Sequence, residues 1–179
     1  MELQKSKSEL ILDELKRRKT REKVIEVEEE TLKAVIFSLL SELYAFKGPE
    51  VKEILPLVPV YYVPGSPDFI PGVINVRGDI ESVINMNRLL GLPDSDPSVS
   101  NRIVIADSGA VRSGIIVDSV EDVIDIPASS IKPPIATLPA AIKDYIVGEL
   151  MYRGRNVTVL DVGRLFGRLG SPAPAGRGA

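Results

Sequence analysis

Few residues in this sequence are of types that do chemistry, and two of the usual kinds are missing. Among 179 residues there is no His and no Cys. Zinc sites of the usual type, thiol redox chemistry and Ser–His or Cys–His nucleophiles are therefore excluded. Carboxylates remain. Ile103-Val-Ile-Ala-Asp-Ser-Gly-Ala110 runs an apolar strand into Asp-Ser-Gly. Aspartic-type hydrolases present a carboxylate in this way, and two such aspartates share one proton and activate water. The chain has no second Asp-Ser-Gly or Asp-Thr-Gly, so a dimer would have to bring the second Asp107. Asp, Ser and Gly each favour a turn on local grounds, and a turn is the simpler reading. Asp118, Glu121, Asp122 and Asp125 form another candidate, an oxygen-liganded metal site. Their spacing does not match an EF-hand loop, which needs Gly at its sixth position. Charges at a strand edge, which discourage edge-to-edge association, fit the pattern better. No catalytic residue, no metal and no cofactor is expected.

The elements that would position any site are mostly strands. Hydrophobic residues make up 44% of the chain, enough for a packed core. Ala34–Leu40 and Leu43–Phe46 read as one hairpin, and Ile103–Ala106 with Gly114–Val117 as another. Val157–Leu160 reads as a buried strand. Pro-rich connections at 56–71 and 127–139 cannot be central strands or helix interiors. Short helices are expected around Asn85–Leu90 and Asp161–Phe166, closed by Gly91 and Gly167. Residues 1–31 are dense in charge and lack Gly and Pro. They form a helical or flexible extension, with Leu10, Ile11 and Leu15 at helical spacing. Residues 169–179 read as a disordered tail, leaving 32–168 as the domain.

An internal repeat organises that domain. With Gly72 set on Gly148, Arg77-Gly78 falls on Arg153-Gly154, Val83 on Val159, Arg88-Leu89 on Arg164-Leu165 and Gly91 on Gly167. That is seven identities in 20 positions, where average composition gives about one or two. Upstream, Val51-Lys-Glu-Ile-Leu55 is similar to Val120-Glu-Asp-Val-Ile124. Two copies of one β unit imply a pseudo-symmetric pair of small barrels with a seam between them, and seams of this kind often bind ligands.

Gly72-Val-Ile-Asn-Val-Arg-Gly78 resembles the G-x-x-N-x-R-G signature of CheW-like domains. Val51-x-Glu53-Ile54 precedes it, and Gly114-Ile-Ile-Val-Asp118, Tyr145-Ile-Val-Gly148 and Val159-Leu-Asp161 follow in the family's order. The resemblance spans roughly residues 33–167. Two positions depart from the pattern. Ser82 stands where the family usually has Pro, and Asn85 where it has an Asp that would cap a helix.

The resemblance implies a mainly β fold of two five-stranded SH3-like barrel subdomains with short helices. It implies a non-enzymatic adaptor that joins the cytoplasmic tips of chemoreceptors to the histidine kinase CheA. It allows ring contacts with other CheW-like domains, and it also allows an adaptor of a non-flagellar pathway such as pilus motility. Receptor tips are helical hairpins, so the expected recognition mode is a helix in a groove. By analogy the groove lies near Val51, Glu53, Gly72, Asn75, Arg77 and Gly78. Arg77 would be the polar anchor. Glu53 would be its partner or a direct contact, and Val51 an apolar contact or part of the core. Gly72 and Gly78 answer backbone needs. The net charge of −3 and pI of about 5.2 argue against nucleic acid. No stretch approaches the roughly 20 apolar residues of a membrane span, and no signal-peptide pattern opens the chain. The expected location is the cytoplasm, at receptor arrays held through partners.

Overall fold

The computed structural model describes residues 29–134 and 140–169. Of the extension expected over 1–31 only residues 29–31 are among them, and of the tail expected over 169–179 only residue 169. Ten strands and three short helices follow one another: β1 (Thr31–Leu39), β2 (Glu42–Lys47), β3 (Val51–Pro56), β4 (Gly72–Val76), β5 (Asp79–Asn85), α1 (Met86–Leu89), β6 (Arg102–Asp107), β7 (Arg112–Val117), β8 (Ser119–Pro127), α2 (Ala140–Lys143), β9 (Ile146–Tyr152), β10 (Arg155–Leu160) and α3 (Val162–Gly167). They build two five-stranded sheets, ordered β8-β1-β2-β10-β9 and β3-β6-β7-β5-β4.

The sheets exchange parts of the repeat. β3 to β7 form the second sheet as one continuous segment, inserted between β2 and β8 of the first. Each sheet therefore takes one hairpin from one copy of the repeat and an edge strand plus the Arg-Gly hairpin from the other. The chain crosses from the first sheet to the second through the 3-10 turn Gly48–Glu50. It crosses back at Asp118, whose N–H donates to the Ser38 carbonyl at 3.1 Å.

Burial explains why several strands are apolar at every position. Along β1, Ala34 and Ile36 face one cluster with Leu43, Ala45 and Val157. Phe37 and Leu39 face the opposite cluster, with Phe46, Val104, Val117 and Leu160. β6 behaves likewise: Ile103 and Ile105 join Ile74 and Val83 in the second sheet's own cluster, while Val104 and Ala106 enter the shared one. A strand covered on both faces needs no polar alternation. Phe37 and Phe46, 4.6 Å apart between ring centroids, sit in the shared core that joins the sheets.

The helix ends are specific. Asn85 caps α1 by accepting from the Arg88 N–H at 3.1 Å. Asp161 caps α3 through the Arg164 N–H at 2.8 Å. Asn85 thus supplies the side-chain oxygen that a capping Asp would offer. We expect Asn85→Ala to cost about 1 kcal/mol in a urea melt and Asn85→Asp to cost little. Gly91 closes α1 at φ +71°. Gly167 instead lies inside α3, and Arg168 with ordinary helical dihedrals is the cap. α2 has no counterpart in the sequence reading. Ser82 lies within a continuous β5 paired on both sides, and its hydroxyl meets that of Ser113 at 2.9 Å.

Candidate functional site

Two backbone features fix the geometry around Arg77. The first is the β4–β5 turn. Val76 pairs with Asp79, so Arg77 and Gly78 make a two-residue turn. Both have positive φ, +54° and +100°. Asn75 steadies the turn, its Oδ1 accepting from the Gly78 N–H at 2.8 Å. The second is at Gly72, where the Pro-rich strap crosses the start of β4. Tyr61 and Val73 exchange backbone hydrogen bonds of 2.8 and 2.9 Å. A Cβ on Gly72 would lie 2.1 Å from the Tyr61 carbonyl oxygen, so no side chain fits.

These features aim Arg77 across an open seam. β3 and β4 are the two ends of the second sheet's strand order. Arg77, on the β4 side, donates from Nη2 to Glu53 Oε1 on β3 at 2.5 Å. The Arg77 side chain is 80% exposed and that of Glu53 24%. Val51, two residues before Glu53, is half-buried against the shared core. Asn75 and Gly78 are exposed and Gly72 is buried. The structure thus brings Arg77 and Glu53 together across the seam and places Asn75 and Gly78 in the Arg77 turn, while Gly72 lies at the strap crossing and Val51 packs against the shared core.

The repeat carries a second seam that the sequence reading did not single out. β8 and β9 end the first sheet as β3 and β4 end the second. Arg153 and Gly154 turn at φ +47° and +76°. Lys132 bridges Glu149 with two backbone hydrogen bonds of 2.8 Å, and a Cβ on Gly148 would lie 2.4 Å from the Lys132 carbonyl oxygen. Arg153 reaches Asp122 at 3.4 Å. Asp122 also accepts from the Tyr152 hydroxyl at 2.7 Å, and the Arg153 guanidinium lies 4.9 Å from the Tyr152 ring centroid. The Tyr152 hydroxyl, and then the Val123 N–H, hold the Asp122 carboxyl below the usual aspartate range. The signal was present in the sequence, since Glu53 aligns with Asp122 and Arg77 with Arg153.

The other carboxylates singled out in the sequence sit in separate local settings. Asp107 Oδ1 accepts from the Gly109 N–H at 2.7 Å, tying up its own turn. Asp118 was expected among strand-edge charges, but it is part-buried. It accepts from the Leu40 N–H at 2.7 Å and the Ser95 hydroxyl at 2.8 Å. This steadies a β1–β2 turn whose Leu40 and Ser41 both have positive φ. Glu121 accepts from Ser119, and Asp125 pairs with Lys33 at 2.9 Å. Among the described residues no group of three such side chains is placed to hold a metal, and no helix is long and apolar enough to cross a membrane.

Residues 33–170 match the model of the CheW-like domain. The chain belongs to the CheW-like domain family. Its similarity to chemotaxis protein CheW of Treponema pallidum (strain Nichols) is 28% identity over 144 residues, covering 78% of this chain and 85% of that protein. To chemotaxis protein CheW of Klebsiella aerogenes it is 28% over 132 residues, covering 74% and 80%. Among solved structures, scaffolding protein TtCheW from Thermoanaerobacter tengcongensis superposes with a TM-score of 0.70 at 31% identity, covering 76% of this chain and 93% of that one. The expected fold class, mainly β with two five-stranded SH3-like subdomains in pseudo-repeat, is the one the CheW-like chain adopts.

Proposed function

We propose that this chain is a non-enzymatic coupling adaptor of chemotaxis signalling, joining chemoreceptor cytoplasmic tips to the histidine kinase CheA. Arg77 carries the reading. A two-residue turn with positive φ at both positions is made most cheaply by Asn-Gly or Gly-Gly. An Arg in that conformation costs about 1–2 kcal/mol. It recovers little from an exposed ion pair, which contributes about 0–1 kcal/mol. The strain therefore serves placement of the guanidinium rather than stability. Glu53 orients that guanidinium, and the half-buried Val51, on the same strand as Glu53, offers an apolar contact. Such a seam suits one face of a helix, with an apolar anchor and a charged one. Membership of a family that includes a named scaffolding protein supports the same role. The work is done in the cytoplasm, at membrane arrays reached through partners, and other CheW-like domains are candidates for ring contacts.

A titration of the chain with a helical receptor-tip fragment, followed by fluorescence anisotropy, tests the docking seam. We expect saturable binding that Val51→Asp abolishes while the circular dichroism spectrum is retained. Absence of binding by the wild-type chain, or unchanged binding by a folded Val51→Asp, would remove the seam from the account.

A further inference from the structure

Glu50 has no role in the docking seam, yet it occupies a distinctive place. It ends the 3-10 turn through which the chain crosses from the first sheet to the second. Its Oε2 is buried without a hydrogen-bond partner. A buried carboxylate oxygen lacking a donor is costly when charged and cheap when it carries a proton. Two charged groups face the carboxylate. One is Asp161 at the cap of α3 and the other is Lys47 at the end of β2. The backbone N–H groups of Lys47 and Val162 also point to it. The fold does not demand this arrangement. At the equivalent positions of the other repeat stand Ser119 and Asn85, both uncharged, and Asn85 caps its helix well.

We propose that the buried Glu50 carboxyl is a proton-binding group that makes the junction between the two sheets firmer as pH falls. Burial first, and the Asp161 carboxylate second, raise the Glu50 carboxyl above the ordinary glutamate range, while Lys47 and the backbone donors oppose them. A raised acid favours folding in its protonated form. Its contribution is complete below the ordinary glutamate range and is lost as pH rises through the folded-state value. Beyond Glu50 the chain runs directly into Val51, whose N–H donates to the Gly48 carbonyl. The proton thus bears on the first residue of β3. Any effect on docking rests on the proposed function, whereas the titration itself does not.

Carbonyl carbon-13 NMR of the full chain, titrated from acid to neutral pH without partner, tests this group. The Glu50 carboxyl is expected to titrate above the ordinary glutamate range. Asp161→Asn keeps the cap and should shift that midpoint down. Glu50→Gln should remove the titration and raise the melting temperature at neutral pH. Glu50→Gln should also make amide-exchange protection of Val51 insensitive to pH, after correction for intrinsic exchange. An ordinary midpoint in the wild type would overturn the proposal. So would the same pH dependence of stability in Glu50→Gln.

Discussion

Arg77→Ala should abolish binding to a receptor tip or to the kinase while moving the melting temperature by no more than a few degrees. Two features keep the stability change small. The exposed pair with Glu53 is lost, worth about 0–1 kcal/mol, and the Arg77 side chain is 80% exposed, so little packing goes with it. Ala remains strained at φ +54°, so removing the guanidinium relieves nothing in the turn. Binding is different, because an interface anchor costs about 2 kcal/mol or more when truncated, roughly 30-fold in affinity. Arg77→Lys is the discriminating companion. It keeps the charge but lacks the planar fork. Retained binding in Arg77→Lys would mark a simple charge requirement, and retained binding in Arg77→Ala would remove Arg77 as an anchor. Arg153→Ala, at the equivalent turn of the other sheet, controls for the loss of a clasp as such.

Gly72→Ala should be among the most damaging glycine substitutions in the described residues. The added Cβ would meet the Tyr61 carbonyl oxygen at 2.1 Å and its carbon at 2.6 Å. Both are backbone atoms, held by the two hydrogen bonds between Tyr61 and Val73. Relief requires the strap to lift, breaking both bonds and uncovering the edge of β4. We expect a loss of about 3 kcal/mol in denaturant melts, the upper end of what overpacking costs. Gly148→Ala should behave alike, since the Lys132 carbonyl oxygen lies 2.4 Å from its added Cβ. Gly167→Ala, with nothing within 4 Å and a place inside α3, should be neutral or slightly stabilising. Equal melts for Gly72→Ala and Gly167→Ala would contradict the strap geometry.

Much of this fold was legible because it is local. The hairpins β1–β2 and β6–β7 are runs of apolar residues separated by short turns, and both ladders form in antiparallel register. The repeat was legible too, down to the Arg-Gly turns. Its copies do not fold as separate barrels, however. β1 pairs with β8, placing Thr31 against Pro127, and β10 joins β2 in parallel. A strand's choice of sheet depends on which distant edge completes its burial, and no pattern within the strand records that. Asp118 illustrates the same limit. Its charge suggested a solvated edge, but its donors come from Leu40 and Ser95, 78 and 23 residues away. Gly167 misled for a local reason, since glycine after a helical pattern marks an end only where positive φ is needed. The Arg153–Asp122 clasp needed only that the alignment be followed one step further.

The seam residues rest on a convergence of kinds. Arg77, Asn75 and Gly78 belong to one turn, Glu53 and Val51 to a strand at the other end of the sheet order, and Gly72 to the strap crossing. One short motif holds Gly72, Asn75, Arg77 and Gly78 and an upstream one holds Val51 and Glu53, while the ion pair across the seam required the closed shape of the sheet.

Co-sedimentation of this chain with receptor fragments and CheA tests the coupling role most directly. A coupling adaptor enters the pellet with both and increases the kinase carried down with receptor, and Arg77→Ala fails to do so while remaining folded. If the wild-type chain joins neither receptor nor kinase, it is not a coupling adaptor, and the two-sheet fold serves some other purpose.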